Sequence, residues 1–222
     1  MGEVAFGRRH RGLLFSLGGF PVRQIRTFVA VESSPEVQHA AERLVQQLQS
    51  IGADVKWVES HNMHLTLQFL GDVAEGKIPA ITEALRKAAG DCKPFQVEIR
   101  SVGAFPSLRR PNVFWLGVGQ GAAQLAELAQ KLQRALEPLG FRPENRPFHG
   151  HLTLGRVRRA GPSLDKLIAR FRQEEQFLAG WISVQNITLF SSQLTPQGPI
   201  YTPLEHLRLG ADQAAEKFGL HL

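Results

Sequence analysis

The chain has 222 residues, 43% of them hydrophobic, and carries 26 Lys and Arg against 20 Asp and Glu for a formal net charge of +6. That is enough for one domain with a real core, or two intimate lobes, and the positive excess suits a polyanionic partner and equally an ordinary basic protein. A single cysteine, Cys92, excludes a disulfide framework or a Cys-based metal site within the chain and agrees with a reducing cytoplasm, and no stretch approaches the apolar length of a membrane span.

Arg8-Arg9-His10-Arg11 precedes a short apolar run to Phe20. It loosely resembles a twin-arginine or secretory signal, but the run is short and lacks a small-residue cleavage site, so a basic extension or an upstream start codon is the simpler reading. Residues 26–32 read as a first strand. Ser33-Ser34-Pro35-Glu36 then offers a serine cap, a proline at the first turn and an early acid, and predicts a helix to about Ser50. A short strand at 54–58 and a polar turn at 59–62 come after it, then a strand from His64 that stops at Gly71-Asp72. Helical spacing predicts a helix over 75–90, alternation a strand over 94–102, and Arg109-Arg110-Pro111 a basic loop that is a candidate RNA contact or a solvated turn. A strand at 112–118, a helix at 122–137, a loop at 141–150 and a strand at 151–158 come next. A helix over 163–174 capped by Ser163, strands over 176–190 and 200–208, and a helical tail complete the pattern. The expected division is a basic extension (1–24), one bilobal domain (25–209) and a tail (210–222), and periodicity alone supports an α+β fold.

Within this pattern one tetrapeptide occurs twice. His64-Leu65-Thr66-Leu67 and His151-Leu152-Thr153-Leu154 lie 87 residues apart, one in each half. On a strand, residues i and i+2 share a face, so the leucines pack while each histidine projects beside a threonine. An imidazole exchanges protons near neutrality, and a hydroxyl donates to a phosphate oxygen. Two such pairs facing each other make a clamp for in-line displacement at phosphorus: one histidine deprotonates water and the other protonates the leaving oxygen. A single His-x-Thr is commonplace, and it is the repetition that carries the signal.

These motifs, with Arg26-Thr27-Phe28-Val29-Ala30, Phe69-Leu70-Gly71, Ala104-Phe105-Pro106, Arg146-Pro147-Phe148 and Gly198-Pro199-Ile200-Tyr201, resemble the 2H phosphoesterases. The likeness is to the LigT-like RNA 2′,3′-cyclic phosphodiesterases (2′-5′ RNA ligases), over about residues 25–209. Gly150 departs from the proline more usual before the second histidine. The resemblance implies two antiparallel sheets flanked by helices with the active cleft between them, and hydrolysis of 2′,3′-cyclic ends to 2′-phosphomonoesters. It also implies possible reverse ligation to a 2′–5′ linkage.

On this reading His64 and His151 are the catalytic pair, with His151 as base and His64 as acid, although reversing the roles fits the sequence equally well. Thr66 and Thr153 hold phosphate oxygens. Arg156 has the wrong parity for the cleft unless Gly155 hosts a bulge; the family carries an arginine there, and the resemblance implies a substrate contact. Phe148 and Phe141 are candidates to stack on a base or to pack. His61 and His149 are at best accessory. The motifs lack carboxylates at ligand spacing and the chain lacks phosphate-loop and dinucleotide fingerprints, so the expectation is no metal and no cofactor. The expected partner is RNA with cyclic ends, tRNA-like fragments included, acted on by a cytoplasmic monomer. Two alternatives stay open: a binding module that grips phosphorylated RNA or nucleotides without turnover, and a phosphodiesterase for small cyclic nucleotides or 2′–5′ oligonucleotides.

Overall fold

The computed structural model describes residues 22–142, 146–196 and 198–211. Most of the expected extension and of the expected tail therefore lies outside the described residues. The described residues form nine strands and four α-helices in the order β1 (Gln24–Glu32), α1 (Pro35–Gln49), β2 (Val55–Trp57), β3 (His64–Ala74), α2 (Ile78–Gly90), β4 (Phe95–Ser107), β5 (Arg110–Val118), α3 (Ala122–Leu136), β6 (His151–Val157), α4 (Pro162–Arg172), β7 (Leu178–Val184), β8 (Asn186–Leu194) and β9 (Pro199–Arg208).

All strand pairing among them is antiparallel, in the order β7-β4-β5-β6-β3-β1-β8-β9, with β2 beside β6. The path consists of two four-stranded halves, β9-β8-β1-β3 and β7-β4-β5-β6. Leu65 opposite Leu152 is the one residue pair that joins them in register. The two expected antiparallel sheets are thus continuous as one curled nine-stranded sheet, joined where the two motif strands touch.

The helices interlock the halves. α1 leaves β1 of the first half and packs on β7 of the second, whereas α3 leaves β5 of the second and packs on β3 of the first. Each buries one apolar stripe: Val37, Ala41, Leu44 and Leu48 on α1, and Leu125, Leu128, Leu132 and Leu136 on α3. Ser34 caps α1, accepting from the Val37 amide at 3.3 Å and donating to the Trp181 carbonyl of β7 at 2.8 Å. The cap thus also ties the helix start to the sheet it covers.

Several boundaries differ from the sequence reading, each for a local reason. β3 runs through Gly71 to Ala74, because Gly71 adopts φ 72° and absorbs a bulge instead of ending the strand. Glu75–Lys77 forms a separate 3₁₀ turn ahead of α2. β4 continues to Ser107, which pairs with Arg110, so the expected basic loop shrinks to a tight hairpin turn at Leu108 and Arg109, with Arg110 and Pro111 already in β5. The single strand expected over 176–190 is two, broken at Gln185, whose amide bonds the Ser183 carbonyl at 3.1 Å; β7 and β8 then run in opposite halves. The cap of α4 is Gly161, not Ser163, because Pro162 occupies the first helical position and leaves the cap to the residue before it.

Leu65 and Leu152 are fully buried at the seam. Leu65→Ala is expected to cost about 3 kcal/mol of stability through lost burial and a residual cavity. Denaturant unfolding checks this, and a loss under about 1 kcal/mol would mean that the seam is not packed as described.

Candidate active site

β3 and β6 meet at the seam, at Leu65 and Leu152. Leu65, Leu67, Leu152 and Leu154 are 0–2% exposed, so the residues between them face the other way. His64, Thr66, His151 and Thr153 all line one cleft of about 870 Å³ between the halves. The parity argument drawn from the sequence thus holds for both motifs, and all four side chains come together.

Each motif strand carries a bulge at the same place. Thr153 and Gly155 oppose consecutive residues of β5, which leaves Leu154 as the extra residue; on β3, Leu67 is extra in the same way against β1. A bulge reverses the parity of the residues after it. Arg156, five residues beyond His151, is thereby turned to the cleft. The strand after the first motif behaves alike: Phe69, five residues beyond His64, also lines the cleft and is 59% exposed. The two walls are therefore alike in backbone and unlike in chemistry, with an apolar ring on one and a guanidinium on the other.

The histidines are anchored identically. His64 Nδ1 donates to the Asn62 carbonyl at 2.8 Å, and His151 Nδ1 donates to the His149 carbonyl at 2.7 Å. In each case the acceptor lies two residues upstream. A carbonyl only accepts, so Nδ1 carries the proton and Nε2 is left as a free base. Aromatic rings fix the ring planes. Phe28 stacks on His64 at 4.8 Å and Tyr201 meets it edge-on at 5.2 Å. Phe105 meets His151 edge-on at 4.9 Å, and Trp115 lies 6.3 Å away. Gly103 is required here, because a Cβ would enter the Trp115 indole that lies across it.

This burial sets the electrostatics. Desolvation brings His64 down to about 4, opposed by its bond to Asn62 and aided by the charge of His151. His151 is also lowered, first by burial, then by the neighbouring charges of His149 and Arg156, against the bond to His149. Both rings are therefore neutral at pH 7. Burial also raises the Tyr201 phenol, against the pull of Arg156 and Arg26.

Other candidates are dispersed. Phe148 and Phe141 are half-buried against the main core, and neither lines the cleft; a Cβ on Gly150 would press on Leu125 and approach Phe148, which shows how tightly this loop is packed down. His61 lines the rim and lies 3.8 Å from Glu59. His149 serves through its carbonyl. Arg109 and Arg110 do not line the cleft. Cys92 is buried, with its thiol bonded to the Ala88 carbonyl. Among the described residues no group of three His, Cys, Asp or Glu is arranged to hold a metal ion, and no helix is long and apolar enough to cross a membrane.

Sequence reasoning missed the aromatic surroundings, the two anchoring carbonyls and Phe69. The anchors leave no side-chain signature, since any residue's carbonyl serves. Phe69 was accessible: aligning the two motifs on their histidines sets it opposite Arg156.

The sequence profile of the 2′-5′ RNA ligase superfamily matches residues 34–193. The RNA 2′,3′-cyclic phosphodiesterase of Methanothermobacter thermautotrophicus is 38% identical over 187 residues, 84% of this chain and 100% of that protein. The protein of the same name from Aquifex aeolicus is 35% identical over 193 residues, covering 85% and 100%. Among solved structures, a Thermus thermophilus protein matches with TM-score 0.72 and 28% identity over 85% of this chain and 100% of that one. Escherichia coli LigT complexed with 3′-AMP matches with TM-score 0.67 and 27% identity over 84% and 98%.

The lowered pKa of His64 has a consequence for stability. The unfolded chain protonates this histidine near 6.5 and the folded one near 4, so the unfolded state binds more protons between these values. Stability is full above pH 6.5 and is lost as pH falls toward 4, by at most about 3 kcal/mol from this group. Denaturant unfolding at about pH 7 and about pH 4.5 is expected to show a smaller acid loss in His64→Gln than in the wild type; equal losses would contradict the burial described.

Proposed function

The chain belongs to the 2′-5′ RNA ligase superfamily, and from that premise we propose that it is an RNA 2′,3′-cyclic phosphodiesterase. It opens the cyclic phosphate at an RNA end with water and leaves a 2′-phosphomonoester. The observation that carries this reading is the pair of imidazoles in one cleft, each with Nδ1 tied to a carbonyl and Nε2 free. Ligands for an anion alone need no two matched bases. Relatives named for this activity, at 35–39% identity, support it.

In the proposed mechanism the cyclic phosphate lies between the histidines. Thr66 and Thr153 donate to its non-bridging oxygens, and Arg156 balances the charge that grows on the five-coordinate phosphorus. Water attacks phosphorus and gives its proton to Nε2 of His151, while the bond to the 3′ oxygen breaks and that oxygen takes the proton of His64. The phosphate stays on the 2′ oxygen. The proton gained by one ring and lost by the other is then exchanged with solvent.

The asymmetry of charge supports these roles. The base must be neutral when substrate is bound, and Arg156 opposes protonation of His151 in both free and bound states. Burial is the first cause that holds both rings neutral, and an anion entering the cleft offsets it for both; Arg156 is a smaller opposition that only His151 faces, and the mechanism gives the substrate-linked proton to His64 on that difference. Phe69 presents an exposed ring on the opposite wall from Arg156, suited to stack on the terminal base. The reaction draws on no metal and no cofactor. Run backwards with a 5′-hydroxyl in place of water, it makes a 2′–5′ linkage. The enzyme acts as a monomer in the cytoplasm on RNA fragments with cyclic ends.

The test is turnover of a nucleoside 2′,3′-cyclic phosphate in EDTA, with the 2′ and 3′ products resolved. The wild type is expected to form the 2′ product. His64→Ala and His151→Ala are each expected to lose about 10²–10⁴ in kcat, and Thr66→Val or Thr153→Val less. A wild type that binds this compound and a cyclic-ended RNA without turning either over would sink the enzyme reading in favour of a binding module.

A further inference from the structure

Beyond the reacting phosphate, the cleft contains a second set of anion donors. β1 pairs with β8 from Ala30 opposite Thr188 to Thr27 opposite Ser191, and Arg26 and Ser192 are the next residues on the two strands, just past the last pair. Ser192 in turn pairs with Tyr201 of β9. Neighbours across strands share a face, so Arg26, Ser192 and Tyr201 form one row across three strands, and all three line the cleft. Arg26 is exposed and makes no ion pair among the described residues, even though Asp72 is its register partner on β3. The charge of Arg26 reaches the Tyr201 phenol, as does that of Arg156 from the facing wall.

The row starts at Tyr201, whose ring meets His64 edge-on, and leads away from the chemistry to Arg26. Phe28 stacks on His64, and Arg26 is two residues away on the same face of β1, about 6.6 Å along the strand. A guanidinium, a hydroxyl and a phenol at that offset can all donate to an anion, and the scissile phosphate is already served by Thr66, Thr153 and Arg156.

We propose that Arg26, Ser192 and Tyr201 bind a second phosphate of the substrate, the internucleotide phosphodiester just upstream of the cyclic end. This rests on the phosphodiesterase reading and deepens it: the preferred substrate is the end of an RNA strand of two or more nucleotides, not a free cyclic mononucleotide. The row recognises a charged phosphodiester without reading base identity, since its donors face backbone oxygens.

The test compares two dinucleotides with a 2′,3′-cyclic end, one with a natural internal phosphodiester and one with an uncharged methylphosphonate at that link. The wild type is expected to favour the charged dinucleotide by about tenfold in kcat/KM, the scale of one charge-assisted contact. Arg26→Gln is expected to reduce that ratio to near one, and Ser192→Ala to reduce it in part. General damage to the fold would lower both rates together and leave the ratio unchanged. A wild type that turns over both dinucleotides at equal kcat/KM, or an Arg26→Gln variant that keeps the full preference, overturns the second subsite while leaving the phosphodiesterase reading intact. Absence of turnover on both compounds removes the reading on which the subsite rests.

Discussion

One hydrogen bond, made twice, organises the cleft. The Nδ1–H of each motif histidine is committed to the carbonyl two residues before it. That commitment selects the tautomer, aims Nε2 at the cleft and removes the freedom of the ring to turn away. Neither histidine relies on an acidic partner, so neither becomes a permanent cation. The rings stay neutral because burial and aromatic walls disfavour charge, and they are left to respond to whatever anion arrives. The geometry asks little of the sequence: a strand, a preceding residue with its carbonyl turned in, and apolar neighbours on the opposite face.

The rest of the fold brings the two copies of that device together. Leu65 and Leu152 join the halves at one point, and the crossing of α1 and α3 onto the opposite sheets keeps the halves from sliding. Bulges at Leu67 and Leu154 then act alike on both walls, turning the residue five beyond each histidine into the cleft. Symmetry ends there. Phe69 lines one wall and Arg156 the other, and in the proposed mechanism this difference sets the substrate's orientation, with an apolar group toward the first half and charge toward the second. A backbone two-fold thus becomes a directional site through two side chains.

Much of this was legible from residues alone. The paired His-Leu-Thr-Leu motifs announce their own facing, because leucine burial and the two-residue period leave the polar side chains no other direction. The glycine after Leu154 hinted at the bulge that brings Arg156 round. The features that stayed hidden depend on tertiary register. No pattern marks Gln185 as a strand break, since Val184 and Ile187 are both buried and the chain simply changes sheet between them. The basic stretch at Arg109 reads as a loop in the sequence and is a two-residue hairpin turn, with Pro111 already paired in β5 opposite Pro106. Phe148, read as a candidate either to stack on a base or to pack, packs on the core, while the exposed ring in the cleft belongs to Phe69.

The central claim is that two neutral, Nδ1-protonated histidines become a distinguishable acid and base when an anion binds. Nitrogen NMR of ¹⁵N-histidine-labelled protein near neutral pH, assigned with His64→Gln and His151→Gln and recorded with and without a nucleoside 2′-monophosphate, tests it most directly. The account predicts that both rings carry their proton on Nδ1 in the free protein, and that on binding His64 becomes cationic while His151 remains neutral. A proton on Nε2 of either ring in the free protein, or protonation of His151 in place of His64 on binding, would contradict it.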